Sequence, residues 1–341
     1  MKITLAATLR HYDKKNFIKD LLAGIIIMAV SIPISMGYAQ IAGLPAVYGL
    51  YGSVFPILIF ALFSTSPQFI FGVDAAPAAL IGSALLSLHI ESGSEEAMAV
   101  VPVLTFFVAL WLLAFYIMKA GKLVNYISAP VMGGFITGIC TTIILMQVPK
   151  LMGGSAGTGE FFELAEHIIK TAKDINWQSV VLGLAALVLL LVCKKLIPKF
   201  PMAVLLMIAG AGMTYLLPIE DWGVQTLASV DTGLPRWAVP DFSVISIRET
   251  VTISLSVAVV IMAETLLAEN NFAQKNGYRI NDNQEILAFS MGNFLAAFTG
   301  CCPINGSVSR TAMGEQYQAK TQLTGIIAGL SMIVVLVCAT G

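Results

Sequence analysis

Apolar residues run along this chain in long blocks separated by short clusters of charge, and the lengths of the blocks predict the elements. Nine of them, at 21–37, 46–63, 97–118, 130–148, 178–197, 201–217, 247–268, 285–299 and 321–340, approach or reach the roughly 20 residues an α-helix needs to cross a bilayer. Two further apolar segments are short and broken. One covers 72–88 and follows Ser66-Pro67; the other covers 306–319 and follows Cys302-Pro303. Taken as half-helices, they bring the count to eleven elements and predict an all-α polytopic membrane protein.

The charges between the blocks predict orientation, because Lys and Arg gather in cytoplasmic connections. With the N-terminus cytoplasmic, that side receives Lys119 and Lys122, then Lys194, Lys195 and Lys199, then Lys275 and Arg279, then Lys320. The other side receives Glu91, Glu95 and Glu96 and two long acidic loops, 149–177 and 218–246. The alternation holds only if both half-helices are counted as crossings. They fall third in a series beginning at residue 21 and third in a series beginning at residue 247, and the two series run in opposite directions. Interrupted segments in equivalent places of two inverted halves mark the binding site of a transporter, because a broken helix in lipid needs partners for its freed N–H and C=O groups.

Composition agrees: 57% of residues are hydrophobic and 11% charged, against about 25% charged in soluble domains. A net charge of −1 selects no partner, and no Lys/Arg-rich block points to nucleic acid. Residues 1–20, with Lys2, Arg10, Lys14, Lys15 and Lys19 among scattered Leu and Phe, have no apolar core for a cleavable signal and read as an amphipathic lead-in on the membrane surface. The five cysteines, Cys140, Cys193, Cys301, Cys302 and Cys338, sit mostly in apolar runs without C-x-x-C spacing and read as buried thiols. The vicinal pair Cys301–Cys302 has no neighbouring His or Cys to complete a metal site. His11, His89 and His167 fall in predicted tails or loops, which leaves no intramembrane catalytic dyad, and there is no phosphate-cradling G-x-x-x-x-G-K-[ST]. The chain therefore reads as no enzyme and no ATP-driven pump, needing no cofactor and no metal. Gly134-x-x-x-Gly138 allows close helix packing, read as an intramolecular contact.

Ionisable residues inside predicted spans are functional candidates, because a charge at the bilayer centre costs several kcal/mol. They are Asp74, Glu264, Arg310 and, nearer the edges, Glu269 and Glu315. Arg310 opens the second half-helix in Gly306-Ser307-Val308-Ser309-Arg310-Thr311. A helix start with its unpaired amides and partial positive charge favours anions; Ser307, Ser309 and Thr311 add hydroxyl donors and Arg310 a permanent cation. Arg310 reads either as an anion ligand or as the partner of a buried carboxylate. Asp74, in Gly72-Val73-Asp74-Ala75-Ala76-Pro77, suits an N-cap, and Pro in the first turn agrees; a counter-charge or a proton or cation site is the other reading. Glu264 is the candidate coupling carboxylate, with a static salt bridge to Arg310 as its alternative.

Several segments, in order, resemble the sulfate permease (SulP) family of inorganic anion transporters. These are Asp20-Leu-Leu-Ala-Gly24, Ile32-Pro33 through Tyr38-Ala39, and Ala42-Gly43-Leu44-Pro45 through Tyr51, then Gly72 to Ala76. Gly277-Tyr278-Arg279-Ile280, Asn283-Gln284-Glu285, Gly306 to Ala312 and Lys320-Thr321-Gln322-Leu323 complete the set. The resemblance implies two inverted seven-segment repeats, the second incomplete, with half-helices at the third and tenth positions. It implies a lead-in at 1–20, core-domain segments at 21–118 and 247–341, and gate-domain segments at 119–246. Substrate would meet Tyr38, Ala75, Ala76 and Ser307, Val308, Ser309 and Arg310, with Glu264 and Asp74 in coupling. Three departures stand out: Ile34 where a polar residue often follows Ile-Pro, Val73 where Pro usually precedes Asp74, and no counterpart of the last gate helices or of the regulatory STAS domain. The expectation is secondary active transport of sulfate- or bicarbonate-class oxyanions by alternating access, coupled to a proton or Na+. The protein would sit in the plasma membrane and form a homodimer at full length. A passive anion channel, or a carrier of organic anions or nucleobases on the same fold, is the alternative.

Overall fold

The structure is a computed structural model of the chain and describes residues 4–9, 12–122, 129–155, 157, 161–197, 200, 202–226 and 233–338. Lys2, Arg10, His11, Lys199 and the last three residues lie outside the described residues, as does the side chain of Cys140. The helices are α1 (Phe17–Ile41), α2 (Val47–Tyr51), α3 (Phe55–Phe63), α4 (Ala75–Ser87), α5 (Glu95–Ile117), α6 (Ala129–Leu151) and α7 (Phe161–Thr171). They continue as α8 (Trp177–Leu196), α9 (Met202–Leu216), α10 (Ile247–Asn276), α11 (Asp282–Phe298), α12 (Val308–Gln316) and α13 (Leu323–Cys338). Two strands, β1 (Phe71–Gly72) and β2 (Asn305–Gly306), pair antiparallel with Phe71 opposite Gly306 and Gly72 opposite Asn305.

Several helices begin where the sequence supplies a side-chain acceptor. Ser94, Ser246 and Asn281 accept from the amides of Ala97, Glu249 and Gln284 at the starts of α5, α10 and α11, which is the usual way to satisfy a first-turn N–H. Gly277, at φ 72°, ends α10 in the left-handed conformation glycine adopts without penalty. Pro33 in α1 and Pro102 in α5 sit inside helices, as membrane helices tolerate when neighbours take up the freed carbonyls. Among the described residues α5, α8, α10 and α1 with its lead-in turn are long and apolar enough to cross a membrane.

The chain divides into two compact units, Met1–Gly133 with Val230–Gly341, and Gly134–Ser229. In the first, α11 packs on α5 and α3, α1 on α13, and α10 on α5. Phe60 of α3, Phe71 of β1 and Phe289 of α11 stack face to face, with ring centroids 4.7 Å apart for Phe60–Phe71 and 5.5 Å for Phe71–Phe289. Asp20 of α1 is fully buried and accepts from Lys320 N (2.6 Å), Thr321 N (3.3 Å), Thr321 Oγ1 (2.8 Å) and Thr324 Oγ1 (3.2 Å), so it ties α1 to the turn that leads into α13. In the second unit Asn176 caps α8 through Ser179 N and donates to Trp222 O. Apolar side chains of α8 and α9 such as Val181, Leu191 and Ile208 are exposed, as a lipid-facing surface requires.

Four expectations change. The block at 46–63 is not one span: α2 ends at Tyr51 and α3 starts at Phe55, with Pro56 in its first turn, where a missing N–H does no harm. A Cβ on Gly49 would stand 2.0 Å from Ser35 O, so α2 can lie against α1 only because residue 49 is glycine. The stretch 149–177 holds the amphipathic helix α7, which places His167 in a helix, its Nε2 3.2 Å from Ser155 O. Residues 4–9, in the stretch read as a lead-in, form turns tied to the helices: Thr4 N donates to Gln284 Oε1, Gln284 Nε2 returns a bond to Thr4 O, and Ala6 N bonds Leu62 O. A Cβ on Gly134 or Gly138 meets nothing within 4 Å, so that glycine face has no intramolecular partner among the described residues. Cys301 and Cys302 are buried, whereas Cys338 is exposed.

Candidate functional site

The two half-helices start side by side because the residues before each are tied to the other. Beyond the β1–β2 ladder, Ser307 N donates to Ile70 O at 2.8 Å and Ile70 N to Thr311 Oγ1 at 3.0 Å. Gly306 N donates to Thr265 Oγ1 of α10 at 3.1 Å. Only glycine fits at 306, since a Cβ there would lie 2.1 Å from Phe69 Cε1 and 2.5 Å from Thr265 Cγ2.

Each start is capped by its own side chain. Asp74 Oδ1 accepts from Ala75 N at 2.8 Å, and Ser307 Oγ receives Arg310 N at 3.5 Å. First-turn amides have no acceptor inside their own helix, and Pro77 has no amide to offer. Ala75 is buried and Ala76 half-buried, whereas Val308 and Ser309, on the first turn of α12, are exposed. The Ser309 hydroxyl lies 3.3 Å from that of Ser307.

Arg310 lies between the two starts. It is 1% exposed, its Nη2 donates to Val73 O at 2.6 Å and stands 3.7 Å from Asp74 Oδ2. Its guanidinium covers Gly72, where a Cβ would meet Nη1 at 3.0 Å. Its Nε is buried with no hydrogen-bond partner among the described residues. The cation is therefore held by one carbonyl and one loosely placed carboxylate, with donor capacity to spare. Tyr38 of α1 is half-buried, and the charges acting on its hydroxyl are those of Asp74, Arg310 and Glu264. Glu264 of α10 accepts from Asn305 Nδ2 at 2.9 Å.

The nine residues that the resemblance implied for substrate and coupling fall on or beside the two helix starts, and the structure shows how the charged ones pair. The carboxylate partner of Arg310 is Asp74, not Glu264; Glu264 is held by the turn before α12 instead. Asp74 is both N-cap and counter-charge. The two edge candidates lie elsewhere: Glu315 pairs with Lys275 at 2.6 Å, and Glu269 is fully buried five residues beyond Glu264. Sequence reasoning missed Asn305, Thr265 and Asn293. The Asn293 side chain receives Ile304 N at 2.9 Å and donates to Ile304 O at 3.0 Å, bracing the turn into β2. An amide in the middle of the 285–299 block was the signal available for Asn293; nothing marked Thr265.

Two discontinuous helices meeting start to start, inside a set of apolar helices, define a multi-pass membrane transporter fold. The chain belongs to the sulfate permease family, whose model matches residues 17–341, a family of transporters and not of enzymes. A probable sulfate transporter of Mycobacterium tuberculosis is 29% identical over 332 residues, 97% of this chain and 59% of that protein. The chain therefore spans about three-fifths of that relative's length. The same fold is seen in SLC26A9 (TM-score 0.86, 22% identity, 98% of this chain and 56% of that one). It recurs in the transmembrane domain of the cyanobacterial bicarbonate transporter BicA (TM-score 0.78, 20% identity, 96% and 84%).

Proposed function

We propose that this chain is the membrane part of a secondary transporter for small inorganic oxyanions of the sulfate or bicarbonate class, working by alternating access with proton coupling through Glu264. The observation that carries the reading is the buried Arg310 guanidinium between two helix starts, with an unpartnered Nε. Tyr38, the first-turn groups of Ala75 and Ala76, and Ser307, Val308 and Ser309 are the remaining substrate contacts. The printed descriptions of the relatives, sulfate for one and bicarbonate for another, name the same class.

A charge count supports coupling. Each helix start contributes about half a positive charge, Arg310 one, and Asp74 and Glu264 remove one each when ionised. The sum is near zero with both carboxylates charged and near +1 with Glu264 protonated. A proton on Glu264 would thus prepare the site for an anion, and its release would discharge the anion. The coupling ion is a proton in this reading because Glu264 is the one site carboxylate without a cation partner.

The unit Met1–Gly133 with Val230–Gly341 holds every proposed site residue, which supports reading the core at 21–118 and 247–341 and the gate at 119–246. A plasma-membrane location, a cytoplasmic N-terminus and a homodimeric full-length protein complete the proposal.

The test is uptake of labelled sulfate and bicarbonate into proteoliposomes under an inward proton gradient. Saturable uptake is expected, with Arg310→Ala losing roughly 2–5 kcal/mol of anion binding, as for a buried charge partner, or about 30-fold and upward in affinity. Unsaturable flux would favour a channel, and uptake that survives Arg310→Ala in a folded protein would place the anion elsewhere.

A further inference from the structure

Away from the helix starts, the end of α10, the start of α11 and the loop after α3 enclose a second pair of acids. Glu269 and Glu285 are both fully buried. Glu285 is well served: its Oε2 accepts from Ser64 Oγ at 2.8 Å, and its Oε1 from Thr65 N at 2.6 Å and from the Thr65 hydroxyl. Glu269 is not, since neither of its oxygens receives a hydrogen bond from any described residue. The acids acting on it are Glu285 first and then Asp282. Asp282 is itself engaged by Asn270 Nδ2 at 2.9 Å. Tyr278, whose hydroxyl lies 3.4 Å from Ser66 Oγ, is the other titratable group facing the pair. None of the ion pairs among the described residues reaches either acid; Lys275 is taken by Glu315.

Two buried carboxylates side by side without a cation cannot both ionise. Donors decide which one carries the charge. Three donors on Glu285 suit a carboxylate, which only accepts. An oxygen pair without donors suits a neutral carboxyl, which has an O–H to give. No group of three or more His, Cys, Asp or Glu suited to a metal ion exists among the described residues, so a proton and not a metal is the natural ligand. We propose that Glu269 and Glu285 form a proton-binding site, in which a protonated Glu269 donates its O–H to the Glu285 carboxylate. The site is distinct from Glu264, which lies five residues earlier, about 7.5 Å back along α10 and about 140° round it. Loss of the proton to solvent leaves two facing negative charges against Ser64 and Thr65. The strain falls on the joint between α10, α11 and the loop that leads into β1. Removing the shared proton sets two like charges against each other in the fold but not in the unfolded chain, so stability falls as rising pH removes it.

The test needs no anion and so stands or falls apart from the transport reading. Infrared spectra of the purified protein in lipid at neutral pH should show a protonated-carboxyl carbonyl component that is lost in Glu269→Gln and retained in Glu264→Gln, apart from any component that Glu264 itself adds. Unfolding followed at rising pH should weaken the wild type and leave Glu269→Gln flat. An unchanged band in Glu269→Gln would overturn the proposal. So would a melting temperature that Na+ or K+ raises in the wild type alone, with no band. Glu269→Leu is the second variant: a neutral buried group tolerates both replacements, so failure of both to fold also overturns it.

Discussion

The hold of Asp20 on the turn that leads into α13 can be tested in free energy. Its carboxylate is fully buried and accepts four hydrogen bonds, two of them from the backbone amides of Lys320 and Thr321. In Asp20→Ala the hydroxyls of Thr321 and Thr324 can rotate toward other acceptors, but the two amides cannot. An unsatisfied buried donor costs about 1–3 kcal/mol, so the amides alone set a loss of about 2–6 kcal/mol. Release from holding a desolvated charge offsets part of this, which leaves about 3–4 kcal/mol. Asp20→Asn keeps Oδ1 for both amides and turns an NH2 toward Thr321 Oγ1, which can accept it. The asparagine variant should therefore lose only about 1 kcal/mol, the worth of one ordinary hydrogen bond. Equilibrium unfolding in mixed detergent micelles, read by tryptophan fluorescence, measures both. An alanine variant within about 1 kcal/mol of wild type, or an asparagine variant as weak as alanine, would refute the role of Oδ1 in holding this turn.

Two further outcomes follow from the site. Gly306→Ala would push a methyl to 2.1 Å from Phe69 Cε1, and overpacking of this kind costs about 1–3 kcal/mol. Lower thermal stability with lost uptake is expected, and a variant with wild-type stability and uptake would mean that the β1–β2 turn has slack. Glu264→Gln keeps a partner for Asn305 Nδ2 and cannot carry a proton in exchange. Its uptake should lose the dependence on the proton gradient while retaining anion binding, and a wild-type pH profile would remove Glu264 from coupling.

The all-α membrane class and most of the apolar helices were legible because lipid imposes a length on apolar blocks that no other solvent does. The broken pair was legible for the same reason: Gly72 and Gly306 open segments too short to span. The break at Gly52–Val54 was passed over although Gly52, Ser53 and Pro56 mark it locally, because the block is apolar over a full span's length; what holds α2 against α1 there, the approach of Gly49 to Ser35 O and the Ser35–Ser53 hydroxyl bond, is a contact between helices. Helix α7 has apolar residues at Phe161, Leu164 and Ile168, a helical spacing, but it is shorter than a span and lies among charges, which read as loop. The residue types of the site were readable and their pairing was not. Arg310 meets the Val73 carbonyl across 237 residues of chain, and no local pattern says whether Asp74 or Glu264 will be its partner. Glu269 drew attention only as an acid near a span edge; that Glu285 lies against it depends on how α10 and α11 are joined.

The ladder between β1 and β2 also sets an order in time. Ile70 donates to Thr311, 241 residues later in the chain, and Phe71 and Gly72 take their partners from the same late turn. At about 5–20 residues per second of synthesis, the first half-helix spends roughly ten to fifty seconds without the strand that completes it. During that interval its free backbone groups must be met by water or by neighbouring helices. The site therefore comes into being only once residues 305–311 have been made, and a nascent chain stopped before residue 305 carries an α4 that can pack on α1 and α10 but lacks the strand that aligns its start.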